Sequence, residues 1–194
     1  MINKIKGIIR ALSFNVDKLA EEIIWYGEKK NGKYIIPIVI DFDFCLTCRS
    51  SWIKGTFIEN PHAFDTLKKW EEKYNCGFIL ETMRGEKKIT PALDFIKKKG
   101  INLYGIGRNP TQGSDEDLSC KACGIFNIDD RDMNIPLVYP KNNRPYVDWK
   151  ALDDLMSLTI KKLHNRIIEV EDRVLKAKKI AEETHKAVKI DYSY

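Results

Sequence analysis

Two aspartates stand at the end of an apolar run. Residues 36–43 read IPIVIDFD, so Asp41 and Asp43 follow a stretch of buried type and are separated by one residue. More groups of reactive type come later in a fixed order: Thr82 and Arg84 after GFILE (77–81), then Lys121, then Asp129 and Asp130 after GIFNI (124–128). Phosphoryl transfer draws on such a set. It needs an in-line nucleophile, a proton donor for the leaving oxygen and cations around the transferring group. Oxygen ligands from Asp41, Asp43 (its backbone carbonyl included), Asp129 and Asp130 suit Mg²⁺, which keeps water and phosphate in its other positions. The Thr82 hydroxyl can donate to a phosphate oxygen, and Lys121 can neutralise nucleophile and phosphoryl oxygens together. Four crowded carboxylates repel one another without such cations, so the set is useful only as a set. Arg84 suits either a phosphate or an ion pair with Asp130.

The elements that must position these residues follow from hydrophobic pattern and punctuation. Residues 15–31 have apolar side chains at helical spacing (Val16, Leu19, Ala20, Ile23, Ile24), a cap in Asn15 or Asp17, and Gly32 to end the helix. Residues 34–40 are continuously apolar and β-branched, the mark of a strand buried on both faces. Asn60 and Pro61 predict a helix start, as do Thr90 and Pro91, with Gly100 closing the second helix. Further strands are expected at 77–80, 102–106 and 124–128. Strands alternating with helices predict a doubly wound, Rossmann-like parallel sheet, whose ligands sit beyond the carboxyl ends of the strands. From Trp149 onward nothing breaks a helix. Ile160, Leu163, Ile167, Val170, Val174, Ala177, Ala181, Thr184 and Val188 recur in steps of three and four, a coiled-coil pattern. This stripe predicts either a homodimer through 156–188 or packing on the chain's own N-terminal helix. The expected division is an N-terminal helical segment (1–33), an α/β domain (34–148) and a long C-terminal helix (149–194).

Composition narrows the class. The chain has 194 residues, 43% hydrophobic and 31% charged, with a net charge of +5. That is ordinary for a globular protein and fits neither disorder nor a membrane span. Arg10 interrupts the apolar patch at the N-terminus and no small-residue cleavage site follows, so a cytoplasmic location is expected. The charge is compatible with an anionic ligand and gives nucleic acid only weak support. The cysteines number five, which argues against a disulfide framework. Cys45, Cys48, Cys120 and Cys123 form two C-x-x-C pairs that could hold zinc; the plainer reading is reduced cysteines acting as small apolar side chains.

The order Asp-x-Asp, Thr, Lys, Asp-Asp is carried by IVIDFD (38–43), FILETMR (78–84), Lys121 and IFNIDDR (125–131). It resembles the haloacid dehalogenase (HAD) superfamily over residues 35–140, and is most similar to its small capless phosphatase-like members from bacteria and phages. A response-regulator receiver shares the residue types, but there the acidic pair comes first and the lysine last. The resemblance implies Asp41 as a nucleophile forming an aspartyl-phosphate, and Asp43 as general acid and then base. It implies Thr82 on phosphate, Lys121 on nucleophile and phosphate, and Asp129 and Asp130 on Mg²⁺. The sequence departs from the family where Gly and Thr usually follow the second aspartate and Phe44 and Cys45 stand instead. A glycine there lets the loop turn tightly, and the Thr hydroxyl supports the acid. The gaps between the motifs leave no room for a cap domain. An open site suits a phosphorylated small molecule or a macromolecular end. The expected activity is a Mg²⁺-dependent phosphatase. One alternative is a catalytically weak binding or scaffold protein that dimerises through its C-terminal helix; another is a nucleic-acid end phosphatase.

Overall fold

A computed structural model describes residues 15–50, 56–111 and 122–191. Its centre is a parallel sheet of β3 (Ile36–Asp41), β6 (Cys76–Glu81), β7 (Gly105–Ile106) and β8 (Phe126–Ile128), in the order β7-β6-β3-β8. β3 lies between β6 and β8, with Asp41 opposite Glu81 and Ile40 opposite Ile128. Among the described residues the helices are α1 (Val16–Tyr26), α2 (Ala63–Tyr74), α3 (Glu86–Lys98) and α4 (Trp149–Asp191). This is the expected α/β architecture: a Rossmann-like parallel sheet with an N-terminal helix and a long C-terminal one.

β3 is central because both its faces are apolar: Ile36, Ile38, Val39 and Ile40 are all buried. Pro37 is tolerated there for a local reason. Its carbonyl accepts from Ile125 N–H at 2.8 Å on the β8 side, and the β8 ladder starts only at Ile38. The missing proline N–H would have pointed to that same side, before the pairing begins.

Several boundaries move from their sequence positions. α1 stops at Tyr26 because Asn31 and Gly32, both at positive φ, form the tight turn of a small hairpin, β1 (Lys29–Lys30) with β2 (Lys33–Tyr34). Asn60 does not cap α2. It is fully buried, and its Nδ2 donates to the carbonyls of Cys45 (2.8 Å) and Val147 (2.9 Å), two acceptors brought together only by the fold. α2 starts after His62 instead. α3 begins at Glu86, one turn before Pro91, with Gly85 at its cap. The carbonyl deprived of its donor by Pro91 belongs to exposed Lys87, where water can serve it. Of the strand expected at 102–106 only the last two residues pair with β6. After β3 comes an antiparallel hairpin of β4 (Thr47–Ser50) and β5 (Phe57–Glu59), which the sequence pattern did not predict.

α4 runs 43 residues, about 64 Å at 1.5 Å per residue. Ile160, Leu163, Ile167 and Val170 are buried in the same cluster as Ala20 and Ile23 of α1 and Trp70 of α2. The intramolecular reading of the heptad stripe therefore holds as far as Val170. Beyond it Val174 is 37% exposed, and residues 171–184 are otherwise half-buried or exposed. Lys29 pairs with Glu171, and Arg166 with Asp17 at 2.6 Å, clamping the covered half to the N-terminal segment. No helix among the described residues is long and apolar enough to cross a membrane.

Candidate metal and phosphate site

The parallel sheet delivers its polar residues to one edge. Asp41 ends β3, Thr82 follows β6, and Asp129 and Asp130 follow β8. The turn after β3 is fixed from behind: the Cys45 carbonyl accepts from Asn60 Nδ2 and from Trp149 Nε1 at 2.7 Å, and the Phe44 carbonyl accepts from Val147 N–H at 2.9 Å. Trp149, the first residue of α4, thereby reaches the site's wall.

Ligand atoms of Asp41, Cys45 and Asp130 converge to within 4.8 Å of one another. Burial is the largest cause lifting the Asp41 carboxyl to about 7; the acidic neighbours Asp129, Asp43 and Asp130 add to it, while a hydrogen bond from the Phe42 backbone opposes it. Asp130 is also raised, chiefly by burial, with Arg144 pulling the other way. These carboxylates disfavour one another's ionisation, and a divalent cation would relieve that. The donor set fits Mg²⁺ through its two carboxylates, but not through sulfur. Burial raises the Cys45 thiol well above its ordinary value, and its Sγ donates to the Ile128 carbonyl at 3.6 Å. Cys45 is thus a wall of the site for a hard cation and a ligand only for a softer one. Asp129 is less committed: its Oδ1 accepts from Arg131 N–H at 2.9 Å.

Asp43 takes a different course from its neighbour. Both its oxygens are held by Arg84, at 3.0 Å from Nε and 2.6 Å from Nη2, and both side chains are nearly buried. The Arg84 guanidinium lies 5.0 Å from the Phe42 ring centroid and 5.1 Å from that of Phe57 on β5. The ion pair suggested between Arg84 and Asp130 is therefore replaced by one with Asp43. Asp130 pairs instead with Arg144, at 2.7 Å from Nη2. Thr82 accepts from Arg84 N–H at 3.4 Å, an ordinary local turn contact. Lys121 and Cys120 lie outside the described residues. Among those that are described, no cluster brings Cys48 or Cys123 to Cys45; the Cys48 thiol donates to the Glu59 carbonyl, and Cys123 is exposed.

Two features escaped the sequence. Arg144 lies 14 residues beyond its partner, and no spacing rule links them. Phe44 has φ 62°, the left-handed conformation that glycine adopts freely. The absence of glycine at that turn was visible; that the turn forms regardless was not.

No family model matches the chain, and no curated protein matches it. Among solved structures, it is similar to a conserved protein from Bacteroides thetaiotaomicron, with 22% identity and a TM-score of 0.47, covering 62% of this chain and 88% of that one. The chain is a small α/β protein with a parallel core sheet flanked by helices, carrying a largely buried Asp41, Cys45 and Asp130 cluster able to chelate a metal.

Proposed function

We propose that this chain is a HAD-like domain that binds Mg²⁺ at Asp41 and Asp130 and, beside it, the phosphate of a ligand, acting as a binding protein with weak turnover. The observation that carries this reading is the Arg84–Asp43 pair. The resemblance makes Asp43 the proton donor, yet both of its oxygens are occupied as acceptors. A general acid must turn an oxygen toward the leaving group, within hydrogen-bond reach. Mg²⁺, when bound, supplies charge neutralisation for the carboxylates and for phosphate oxygens. Thr82 donates its hydroxyl to phosphate in this reading, and Lys121 and Asp129 complete the shell. The division into segments 1–33, 34–148 and 149–194 belongs to the same proposal. So does pairing of two copies through α4 beyond Val170, where the steps of three and four continue uncovered.

The phosphatase reading stays second, favoured by the convergence of Asp41 and Asp130 at the sheet edge. In it the Asp41 carboxylate attacks phosphorus, the ester P–O bond breaks, and the leaving oxygen takes its proton from Asp43. Arg84 must first release an oxygen of Asp43. Water then cleaves the aspartyl-phosphate with Asp43 as base.

One pair of measurements separates the two. Calorimetric titration with Mg²⁺ is expected to give a binding isotherm that Asp41→Asn weakens at least about tenfold, the loss of one charged ligand. Hydrolysis of an aryl phosphate with Mg²⁺ is expected to stay near the uncatalysed rate. Rapid hydrolysis abolished by Asp41→Asn would move the assignment to the phosphatase. Identical Mg²⁺ binding by the two proteins would sink both. Sedimentation of the full chain against a chain ending at 170 tests the pairing, with a dimer expected only for the former.

A further inference from the structure

Arg144 sits at the mouth of the site in an arrangement that the metal and phosphate reading does not use. Its Nη2 donates to Asp130 Oδ2 at 2.7 Å, and its guanidinium lies 4.5 Å from the centroid of the Phe44 ring. Asp130 is 6% exposed at its side chain, Arg144 43%. The backbone on either side of Arg144 is tied down. Asn143 Nδ2 donates to the Cys48 carbonyl at 2.8 Å, and Val147 N–H donates to the Phe44 carbonyl. Phe44 itself is held in a left-handed conformation, unfavourable for a bulky side chain, and that conformation sets its ring beneath Arg144.

A guanidinium stacked on a ring uses its face and leaves its edge donors in the plane. Here Nη2 alone is spent on Asp130. The same edge matches a phosphate as well as it matches a carboxylate.

We propose that Arg144 is the anion-recognition residue of this site: it holds Asp130 while the cation is absent, and takes the ligand's phosphate once Asp130 turns to the cation. The proposal rests on the metal and phosphate reading above and names the ligand class as a phosphomonoester. Its consequence is coupling. Cation alone competes with Arg144 for Asp130 and sets a dication beside a guanidinium. Phosphate alone meets a cluster of carboxylates. Together each offsets the charge the other leaves, so each tightens the binding of the other, reciprocally.

The test is calorimetric titration of the full-length protein with Mg²⁺, with and without inorganic phosphate. In wild type, phosphate is expected to tighten Mg²⁺ binding about tenfold, within the usual range of coupling between sites. In Arg144→Gln the coupling is expected to fall below about twofold, with Mg²⁺ affinity in phosphate-free buffer equal or higher. Phe44→Leu, which keeps the arginine and removes the ring, is expected to lower the coupling as well. Circular dichroism confirms folding of each variant. Coupling that survives Arg144→Gln overturns the proposal. So does phosphate-free Mg²⁺ affinity that falls in Arg144→Gln as it does in Asp130→Asn, because Arg144 would then be structural. Equal Mg²⁺ binding by wild type and Asp130→Asn overturns the metal reading itself. Loss of binding in Asp130→Asn, with no coupling in wild type, overturns only the role of Arg144.

Discussion

Arg84 and Arg144 each hold one aspartate of the site, and each lies over a phenylalanine ring. Arg84 grips both oxygens of Asp43, lies near two rings, and is 1% exposed at its side chain. Arg144 touches one oxygen of Asp130, lies over one ring, and is nearly half exposed. The same two residue types thus make a fixed pair and an exchangeable one. The arginine's burial and the number of its contacts decide which, because Asp130 is itself only 6% exposed at its side chain. A desolvated bidentate pair cannot lose one partner without stranding a charge, whereas a half-exposed arginine on a single contact can trade partners when another cation takes over its carboxylate. Asp41 belongs to neither pair; the neighbouring charges of Asp129, Asp43 and Asp130 are acidic, which leaves it to attract whatever cation arrives.

The hardest blow to this contrast falls on the buried pair. Arg84→Ala strands Asp43 and removes a cation from beside two rings; urea denaturation is expected to show a loss of about 3–5 kcal/mol. Replacing both partners with apolar residues, Arg84→Met with Asp43→Leu, is expected to cost much less than the single change. A single Arg84→Ala that costs under about 1 kcal/mol would put the pair in the surface class and erase the difference.

Next comes Asp41, whose effect depends on pH. Its carboxyl titrates near about 7 in the fold, against about 4 in an unfolded chain. The folded state therefore binds the extra proton between those values, and stability falls as pH rises through them. Asp41→Asn removes this share of the dependence and leaves that of Asp130, whose carboxyl is raised as well. At pH 8 the variant is expected to be more stable than wild type by up to about 4 kcal/mol, shrinking to near zero at pH 4. Chemical denaturation across that range checks it. A variant less stable than wild type at pH 8 would mean that Asp41 already has a cationic partner.

The features legible in the sequence are the local ones. Strand β3 was legible because an unbroken apolar run admits few other fates, and Asp41 and Asp130 because residues that end parallel strands share one edge. The start of α4 at Trp149 was legible from the lack of breakers. What failed was long-range. Heptad spacing announces a sticky face without saying what covers it, and α1 and α2 cover it from Ile160 to Val170. Asn60 had the right chemistry for a cap, but two carbonyls from distant segments claimed it. The partners of Arg84 and Arg144 depend on which loop meets which aspartate, and charge type alone does not say.

The half-exposed arginine is expected to matter less than the buried one. Arg144→Gln leaves the buried Asp130 carboxyl with an amide in place of its cation, and is predicted to cost about 1–3 kcal/mol by urea denaturation, less than Arg84→Ala. A loss matching that of Arg84→Ala would mean that the two arginines are equally fixed.

The smallest effect is the most diagnostic, because it separates the turn from the ring. Phe44 bears a left-handed backbone that costs a non-glycine residue roughly 1 kcal/mol, and its ring returns about 0.5–1 kcal/mol through Arg144. Phe44→Gly removes both, so its stability is expected within about 0.5 kcal/mol of wild type. Phe44→Ala removes the ring but keeps a Cβ at positive φ, and is expected to lie about 1 kcal/mol below the glycine variant. If alanine proves as stable as glycine, the turn is unstrained, and the ring is there for some reason other than Arg144. If glycine exceeds alanine as predicted, while both lose the coupling between Mg²⁺ and phosphate, then a strained turn is kept because it sets an aromatic ring beneath a movable cation.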